Sequence, residues 1–360
     1  MVARIIVTFT TILMILNFIK LVQAESRVPC FFIFGDSLLD NGNNNNLNTT
    51  ARANYPPYGV DFPGGPTGRF TNGRNMADFL AHVLGFGNFI PPFASASGRD
   101  ILQGVNYASG SAGIRNESGS HLGTCIFMDW QLKNHQETIS RIVNLLGNKD
   151  ATNAHLNKCL YSVGIGSNDY INNYLMPEKY QSSRLYTPSQ YATLLTQQYA
   201  QQLKTLYGDG ARKVVLFGLP QIGCIPQMLQ TQKTRTCVDS TNEAVQLFND
   251  KLKSLVNELN NYFTDAKFTI VNIYSMSSLF SGLSFLNFPC CNVSKTVAEG
   301  QCVPNTAPCP IRAAHAFFDN FHPTETGTMV AILRAYYSLL PSDTYPMDIN
   351  HLLLSGLLGG

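Results

Sequence analysis

The chain has 360 residues, with 25 basic and 23 acidic side chains, and charged residues make up only 13% of it. Two of the basic residues, Arg4 and Lys20, fall within the first 24 positions, so the remainder carries 23 charges of each sign. This neutral balance predicts no electrostatic surface for nucleic acid or for anionic membranes. A surface poor in charge but rich in Asn, Ser and Thr is typical of an extracellular glycoprotein.

The amino-terminal segment predicts a secretory signal peptide. Arg4 precedes an apolar run over residues 5–19, and Val22 and Ala24 place small residues at the −3 and −1 positions of a cleavage site. The run is shorter than the roughly 20 residues that span a bilayer, which argues against a membrane anchor. We therefore expect a signal peptide over residues 1–24, one domain over 25–360, no membrane span, and secretion to the extracellular space or the vacuole.

Short apolar runs alternate with helical patterns, which predicts an α/β domain with a five-stranded parallel sheet covered on both faces. The predicted strands are residues 30–34, 105–108, 160–164, 213–217 and 268–272. The predicted helices are residues 75–84, 130–146, 191–207, a helix opening at a capping box of Ser240 and Glu243, and 323–340 with Pro323 at its first position.

Residues 42–73 are rich in Asn, Gly and Pro and predict a long surface excursion without regular structure. Because the segment follows the first strand, it lies at the carboxyl ends of the strands, where open α/β sheets bind their ligands.

All nine cysteines follow the signal peptide, and in a secreted chain they predict disulfides rather than a metal site. Cys290, Cys291, Cys302 and Cys309 form a dense group, and Cys224 with Cys237 closes a second loop in this interpretation. The odd count leaves at least one thiol free. No Cys pair stands at zinc-finger spacing from His, so no metal is expected.

Three sequons, at Asn48, Asn116 and Asn292, predict glycosylation of at least one of these side chains. Because so Asn-rich a chain also produces chance matches, the sequence does not predict that all three are occupied.

The first chemical motif is Ser37, two residues after a predicted buried strand that ends at Gly35. A glycine permits a sharp turn there, and the turn presents the serine at the rim of the sheet, as a nucleophile requires. An ordinary turn serine is the alternative interpretation.

The second motif is Asp319 followed three residues later by His322. This spacing lets the carboxylate accept a hydrogen bond from Nδ1 of His322, which leaves Nε2 free to take a proton from Ser37. The order Ser, Asp, His is shared with α/β-hydrolases, but the chain has no Gly-x-Ser-x-Gly elbow. The alternative is a helix-start cap.

Two further motifs end predicted strands. The Asn168 amide is positioned to donate to a developing oxyanion, and the small residues over 104–113 leave backbone N–H groups available for the same purpose. The alternatives are an Asn in a left-handed turn and a flexible loop.

Taken together and in this order, these motifs resemble the plant-type GDSL esterase/lipase family of the SGNH hydrolases, over residues 28–348. The carrying blocks are residues 35–44, 68–73, 104–109, 166–170 and 319–323. The resemblance implies a flavodoxin-like three-layer α/β/α fold, no metal or organic cofactor, and hydrolysis of a small-molecule or lipid acyl ester in the plant apoplast or vacuole.

Residue roles follow from the same resemblance. Ser37 is the implied nucleophile, His322 the general base and then acid, and Asp319 its orienting partner. The implied oxyanion hole combines the Ser37 N–H, the Asn168 side chain and one backbone N–H, with Gly104, Gly110 and Ser111 as the candidate donors.

Two departures from the family pattern stand in the chain. Phe318 replaces the usual Trp before the catalytic Asp. The segment between Tyr274 and Cys291 is shorter than usual, and Asn292 replaces the Gly expected after the paired Cys. The second departure affects one pocket wall and therefore acyl-chain preference.

Three other functions remain open from the sequence. Acyl transfer to an alcohol would use the same triad, and a secreted binding protein would keep the fold without turnover. A lectin-like glycan binder is less consistent with aromatic residues that fall mostly in core runs.

Overall fold

The computed structural model describes residues 26–281, 288–296 and 298–355. The predicted signal peptide lies outside these ranges, as does part of the short segment before Cys291.

The strands are β1 Phe31–Gly35, β2 Leu160–Gly164, β3 Lys213–Phe217, β4 Lys267–Val271 and β5 Thr344–Tyr345. The helices are α1 Met76–Val83, α2 Met128–Leu146, α3 Lys149–Leu156, α4 Ser167–Asp169, α5 Ser182–Leu185, α6 Pro188–Gly208, α7 Pro226–Thr231, α8 Asp239–Tyr262, α9 Ile273–Ser281, α10 Glu325–Tyr337 and α11 Ile349–Leu354. A π-helical turn covers Tyr170–Tyr174, and 3₁₀ turns cover Asp100–Gln103, Ser120–Leu122, Ile222–Cys224 and Arg312–Ala314.

The sheet has five strands in the order β1-β2-β3-β4-β5. β1 to β4 are parallel, and β5 pairs antiparallel with β4. The α/β class and the four long parallel strands are confirmed, with boundaries within one residue of those predicted.

The prediction of a strand at residues 105–108 is wrong in detail. This segment lies beside β1, since the Tyr107 N–H donates to the Ile33 carbonyl at 2.7 Å, but it forms only isolated bridges. On its other side it meets Pro91 and Pro92, which have no N–H with which to extend a ladder. The fifth strand is instead the two-residue β5. With the bridging segment counted as a neighbour of β1, the parallel order is flavodoxin-like.

The sheet is covered on both faces, which explains the nearly continuous apolar sequence of its strands. Side chains alternate along β1: Phe32 and Phe34 join a core cluster with α2, α6 and α8, whereas Phe31 and Ile33 join a second cluster with α1, α10 and α11. This is the predicted three-layer arrangement.

Residues 42–73 have no regular structure, as predicted, but they are not simply a surface excursion. Asn43, Asn44, Tyr58, Arg69 and Phe70 are all at most 5% exposed. The segment can be buried because its amide side chains form hydrogen bonds with backbone groups of other loops. The polar residues that suggested exposure thus serve as partners for buried polar groups.

Two helix starts differ from the prediction. α8 begins at Asp239 after Val238, without a side-chain cap, because the Val238 N–H donates to the Gly223 carbonyl and tertiary contact replaces the Ser240 capping box. α10 begins after Thr324, and the carbonyl of Pro323 accepts a bond from the Thr71 hydroxyl, which holds Pro323 outside the helix.

Four disulfides are present: Cys30–Cys159, Cys224–Cys237, Cys290–Cys309 and Cys291–Cys302. Cys125 is the free, buried thiol. The expected stapling of the dense cysteine group, the Cys224 and Cys237 loop and the single unpaired thiol are confirmed. Within the described ranges, no helix combines the length and apolarity needed to cross a membrane.

The fully buried His135 makes stability depend on pH. Its ring lies among Phe32, Phe34 and Tyr161, and burial lowers its pKa to about 3. The unfolded value is about 6.5, so the contribution of the neutral ring is fully present above that pH and declines as pH falls. Between pH 7 and 5, the free energy of unfolding should fall by about 2 kcal/mol relative to His135→Leu, as measured by urea denaturation. The exposed His82→Leu serves as control, and parallel curves for wild type and His135→Leu would contradict the prediction.

Candidate active site

The turn that follows β1 presents Ser37. Gly35 closes the strand so near β2 that a Cβ atom there would lie 2.4 Å from the Gly164 carbonyl oxygen, which requires glycine. The chain then makes a single helical turn in which the Asp36 carbonyl accepts the N–H groups of Leu39 and Asp40, each at 3.1 Å. Ser37 is thereby placed, half-buried, on the wall of a cavity.

The amide of Gln131 on α2 fixes the end of β1 from the other side. Its Oε1 accepts the Gly35 N–H at 2.8 Å, and its Nε2 donates to the carbonyls of Gly35 and Ile126, both at 2.7 Å. Both amide hydrogens and the carbonyl oxygen of this buried side chain are thus bonded, and two of the three bonds hold the backbone two residues before Ser37.

The structure brings Ser37, His322 and Asp319 together across more than 280 positions of sequence. Nε2 of His322 lies 2.7 Å from Oγ of Ser37, and Nδ1 lies 2.8 and 2.9 Å from the two carboxylate oxygens of Asp319. His322 and Asp319 are buried, while Ser37 is half-buried. This is the geometry in which an imidazole can take a hydroxyl proton and a carboxylate can hold the resulting imidazolium.

The Asp319 carboxylate is fully satisfied by donors. Oδ1 accepts the N–H groups of Phe321 and His322, both at 2.8 Å, and Oδ2 accepts the hydroxyl of Tyr58 at 2.6 Å. The ring of Phe70 lies 5.0 Å from that of His322 and covers it. Phe318, immediately before Asp319, packs its ring against that of Tyr58.

Three groups on the same cavity can donate to an oxyanion. Asn168 lies in the cavity wall, where one of its amide hydrogens is bonded to the Ala112 carbonyl. Among the described residues, neither the Ser37 N–H nor the Ser111 N–H has a partner. Ser111 adopts a positive φ of 65°, an uncommon conformation for a non-glycine residue that often marks a functional turn.

The two glycines considered as donors both have their N–H groups bonded to other acceptors. The Gly110 N–H donates to the buried carboxylate of Asp40 at 3.0 Å. Gly104 lies against Phe31 at the opposite end of β1, about 13 Å of extended chain from Gly35, and its N–H bonds to the Ile101 carbonyl. Its glycine is needed for this close packing on β1, so the structure separates it from Ser37.

Buried carboxylates hold the loops around the site. Asp40 accepts three backbone N–H groups, from Gly42, Asn43 and Gly110. Burial raises its pKa to about 6, opposed by these hydrogen bonds. Asp169 is also a buried acceptor, for the N–H groups of Ile114 and Arg115 and the hydroxyl of Ser118. Burial raises its pKa to about 6, and these hydrogen bonds oppose the rise. The buried carboxylates therefore connect the loops around the site to one another through hydrogen bonds.

Asp36, adjacent to Ser37, is the most perturbed of these acids. Burial raises its pKa to about 7, partly opposed by the Leu38 N–H and by the nearby His322. Its carboxylate therefore changes charge near neutral pH.

The cavity has a volume of about 830 Å³ and opens to solvent. Its wall is largely apolar, with contributions from Leu122, Ile171, Leu175, Ile225, Met228 and Phe321. A cavity of this size and character suits the apolar part of a small ligand or an acyl chain.

Among the described residues, one group of Cys and His side chains has atoms of the kind that bind metal ions, close enough together to share one. Cys30, His155 and Cys159 lie within 4.8 Å of one another at the amino ends of β1 and β2. Because the two sulfurs are joined in a disulfide, neither is available as a thiolate ligand.

Tyr58 and Gln131 were not anticipated from the sequence. Each left a signal: Tyr58 follows a Pro-Pro pair in a segment otherwise too polar to place aromatics in a core, and Gln131 stands on the apolar face of α2 between Met128 and Leu132. A polar residue at an apolar helical position indicates a specific buried partner.

Comparison with known proteins agrees with this architecture. Residues 31–332 match the GDSL-like lipase/acylhydrolase family, and the chain belongs to it. It is 49% identical over 337 residues to the GDSL esterase/lipase At1g29670 of Arabidopsis thaliana, covering 92% of this chain and 93% of that protein. Similarity to At1g29660 of the same plant is 47% over 339 residues, with the same coverage, and to At5g45670 it is 44% over 358 residues, covering 97% and 99%. The fold is therefore that of the SGNH hydrolases, and the protein is a carboxylic-ester hydrolase.

Proposed function

We propose that the protein is a secreted esterase or lipase that works through an acyl-enzyme on Ser37. The observation that carries the proposal is the unbroken chain of short contacts from Asp319 through His322 to Ser37 on the wall of a large cavity. His322 Nε2 removes the hydroxyl proton as Oγ attacks the ester carbonyl, and then donates that proton to the departing alcohol.

The second half-reaction uses the same groups in reverse. Water gives a proton to His322 and attacks the acyl carbonyl, and Ser37 Oγ leaves with the proton returned by His322. The Asp319 carboxylate sets the imidazole tautomer and stabilises the imidazolium in both halves. An alcohol in place of water would give acyl transfer, which product analysis distinguishes.

The oxyanion hole in this proposal consists of the N–H groups of Ser37 and Ser111 and the side-chain amide of Asn168. The first two have no other partner among the described residues, and the amide keeps one hydrogen beyond its bond to Ala112. Preorganised donors of this kind stabilise the tetrahedral intermediate without rearrangement.

Secretion and glycosylation complete the proposal. A signal peptide over residues 1–24 would be removed to leave the hydrolase domain over residues 25–360. Four disulfides are consistent with an oxidising compartment, and Asn48, Asn116 and Asn292 are all exposed, as glycan acceptors must be.

The nucleophile is tested by Ser37→Ala in hydrolysis of a p-nitrophenyl ester series from acetate to palmitate. We expect a loss of kcat of at least about a thousandfold, because a triad without its nucleophile retains only binding and oxyanion contributions. Circular dichroism verifies the fold, and the exposed Ser140→Ala is the control. Unimpaired turnover by folded Ser37→Ala would contradict the mechanism, and ester products formed with added alcohol would indicate transfer.

The oxyanion role is tested with Asn168→Ala on the best substrate of that series. Loss of one donor should lower kcat by about 10²- to 10³-fold with little change in KM, because the amide acts on charge that develops in the transition state. Asn153→Ala, an exposed residue on α3, is the matched control. A rise in KM with unchanged kcat would assign Asn168 to ground-state binding instead.

The secretory proposal is tested by expressing the full chain in plant cells. We expect a mature amino terminus at Glu25 in the apoplastic fluid or the vacuole, and a mass decrease on enzymatic removal of N-glycans. Asn→Gln changes at the three sequons identify the occupied sites. Recovery of the uncleaved chain in the cytosol would refute this part of the proposal.

A further inference from the structure

The hydroxyl of Tyr58 is in direct contact with the proposed triad. It donates to Oδ2 of Asp319 at 2.6 Å, across 261 positions of sequence, and its side chain is fully buried. We propose that Tyr58 is a positioning residue for ester hydrolysis, whose hydroxyl holds the Asp319 carboxylate in the orientation that faces His322. This inference rests on the proposed function and adds a fourth side chain to it.

The direction of the hydrogen bond follows from the surroundings of the hydroxyl. The Cys302 N–H donates to the Tyr58 oxygen at 3.1 Å, so an acceptor site of that oxygen is filled and its proton is directed to Asp319. Burial, followed by the charge of Asp319, raises the pKa of Tyr58 well above its ordinary value. The phenol therefore remains a donor at every pH at which the enzyme would work.

The need for this donor follows from the carboxylate itself. Oδ1 of Asp319 has two backbone N–H donors besides the imidazole, whereas Oδ2 has, among the described residues, only Tyr58 and His322. Without the hydroxyl, a buried carboxylate oxygen would lose a charge-assisted bond. The carboxylate would be held less firmly against His322, and its charge would interact more strongly with the imidazolium that forms during the reaction, so the pH dependence of turnover should change.

Tyr58 is held rigidly enough for this role. Its ring makes edge contacts with Phe70 and Phe318, and Phe70 also covers the imidazole of His322. Cys302 is fixed by its disulfide to Cys291. The segment over residues 42–73 and the disulfide-bonded loop thus meet behind the Asp–His pair.

The neighbouring Tyr55 provides a control within the same cluster. Its hydroxyl donates to the Cys302 carbonyl at 3.0 Å, and its ring lies 5.3 Å from that of Tyr58. The titratable groups next to Tyr58 are Asp319 and Tyr55. His322 lies on the far side of the Asp319 carboxylate, and Asp36, in the turn that carries Ser37, is near His322.

The first experiment compares Tyr58→Phe with Tyr55→Phe in p-nitrophenyl ester hydrolysis across pH. Tyr58→Phe should lower kcat about tenfold with KM nearly unchanged, because a carboxylate that has lost one of its donors orients His322 less well as Ser37 attacks. The acid limb of kcat/KM should move up by about half a pH unit or more. Tyr55→Phe should change neither quantity.

The second experiment is a double-mutant cycle with Asp319→Asn, which retains the oxygen that caps Phe321 and His322. If Tyr58 acts through the carboxylate, adding Tyr58→Phe to Asp319→Asn should cost less than about twofold. An equal tenfold loss in both backgrounds, or an unshifted acid limb, would overturn the inference by showing that Tyr58 acts on the shape of the site.

A further variant covers the case in which Tyr58→Phe does not fold. Incorporation of 3-fluorotyrosine at position 58 preserves the ring and makes the hydroxyl a stronger donor, so the acid limb should move to lower pH. No movement, or movement upward, would reject the role. Wild-type turnover and its loss in Ser37→Ala test the hydrolase mechanism by themselves. If that test succeeds and the Tyr58 variants behave otherwise than expected, only the positioning role of Tyr58 is rejected.

Discussion

A buried carboxylate needs a donor for each of its acceptor sites, and the architecture around Asp319 follows from that requirement. Two backbone N–H groups, one imidazole and one phenol surround it. The backbone donors come from its own turn, but the phenol of Tyr58 comes from the other end of the chain. A charge that positions His322 can therefore be kept out of water only if distant segments fold against one another.

The loops that meet this requirement are themselves polar and largely buried. Asp40, Asn43 and Asn44 bond to backbone groups of residues 42–51 and 106–110, so one loop organises the next. Such a network is rigid only when every member is satisfied. Gln131 extends the same principle to the end of β1, and the disulfides of the Cys290 group fix the loop behind Tyr58.

The two ends of the sheet differ in what surrounds them: a cavity at the carboxyl ends of the strands, and close packing with a disulfide at the amino ends. At the carboxyl ends of β1 and β2, the turns carry Ser37 and Asn168 to one cavity. At the amino ends, Gly104 packs against Phe31 and the Cys30–Cys159 disulfide joins the two strands. Gly104 thus serves packing at one end of the sheet, while the cavity lies at the other.

Sequence by itself determined the elements whose cause is local. Apolar runs and helical periodicity placed β1 to β4 and the long helices, and the spacing of Asp319 and His322 with the order of motifs pointed to a serine hydrolase. Only the tertiary structure decided which groups meet: Tyr58 with Asp319, Gln131 with Gly35, and Ser111 rather than Gly104 on the cavity. The reason is physical, because hydrogen-bond partners of buried polar groups are chosen by packing across the whole chain. Neither residue type nor periodicity specifies a partner that lies 96 or 261 positions away.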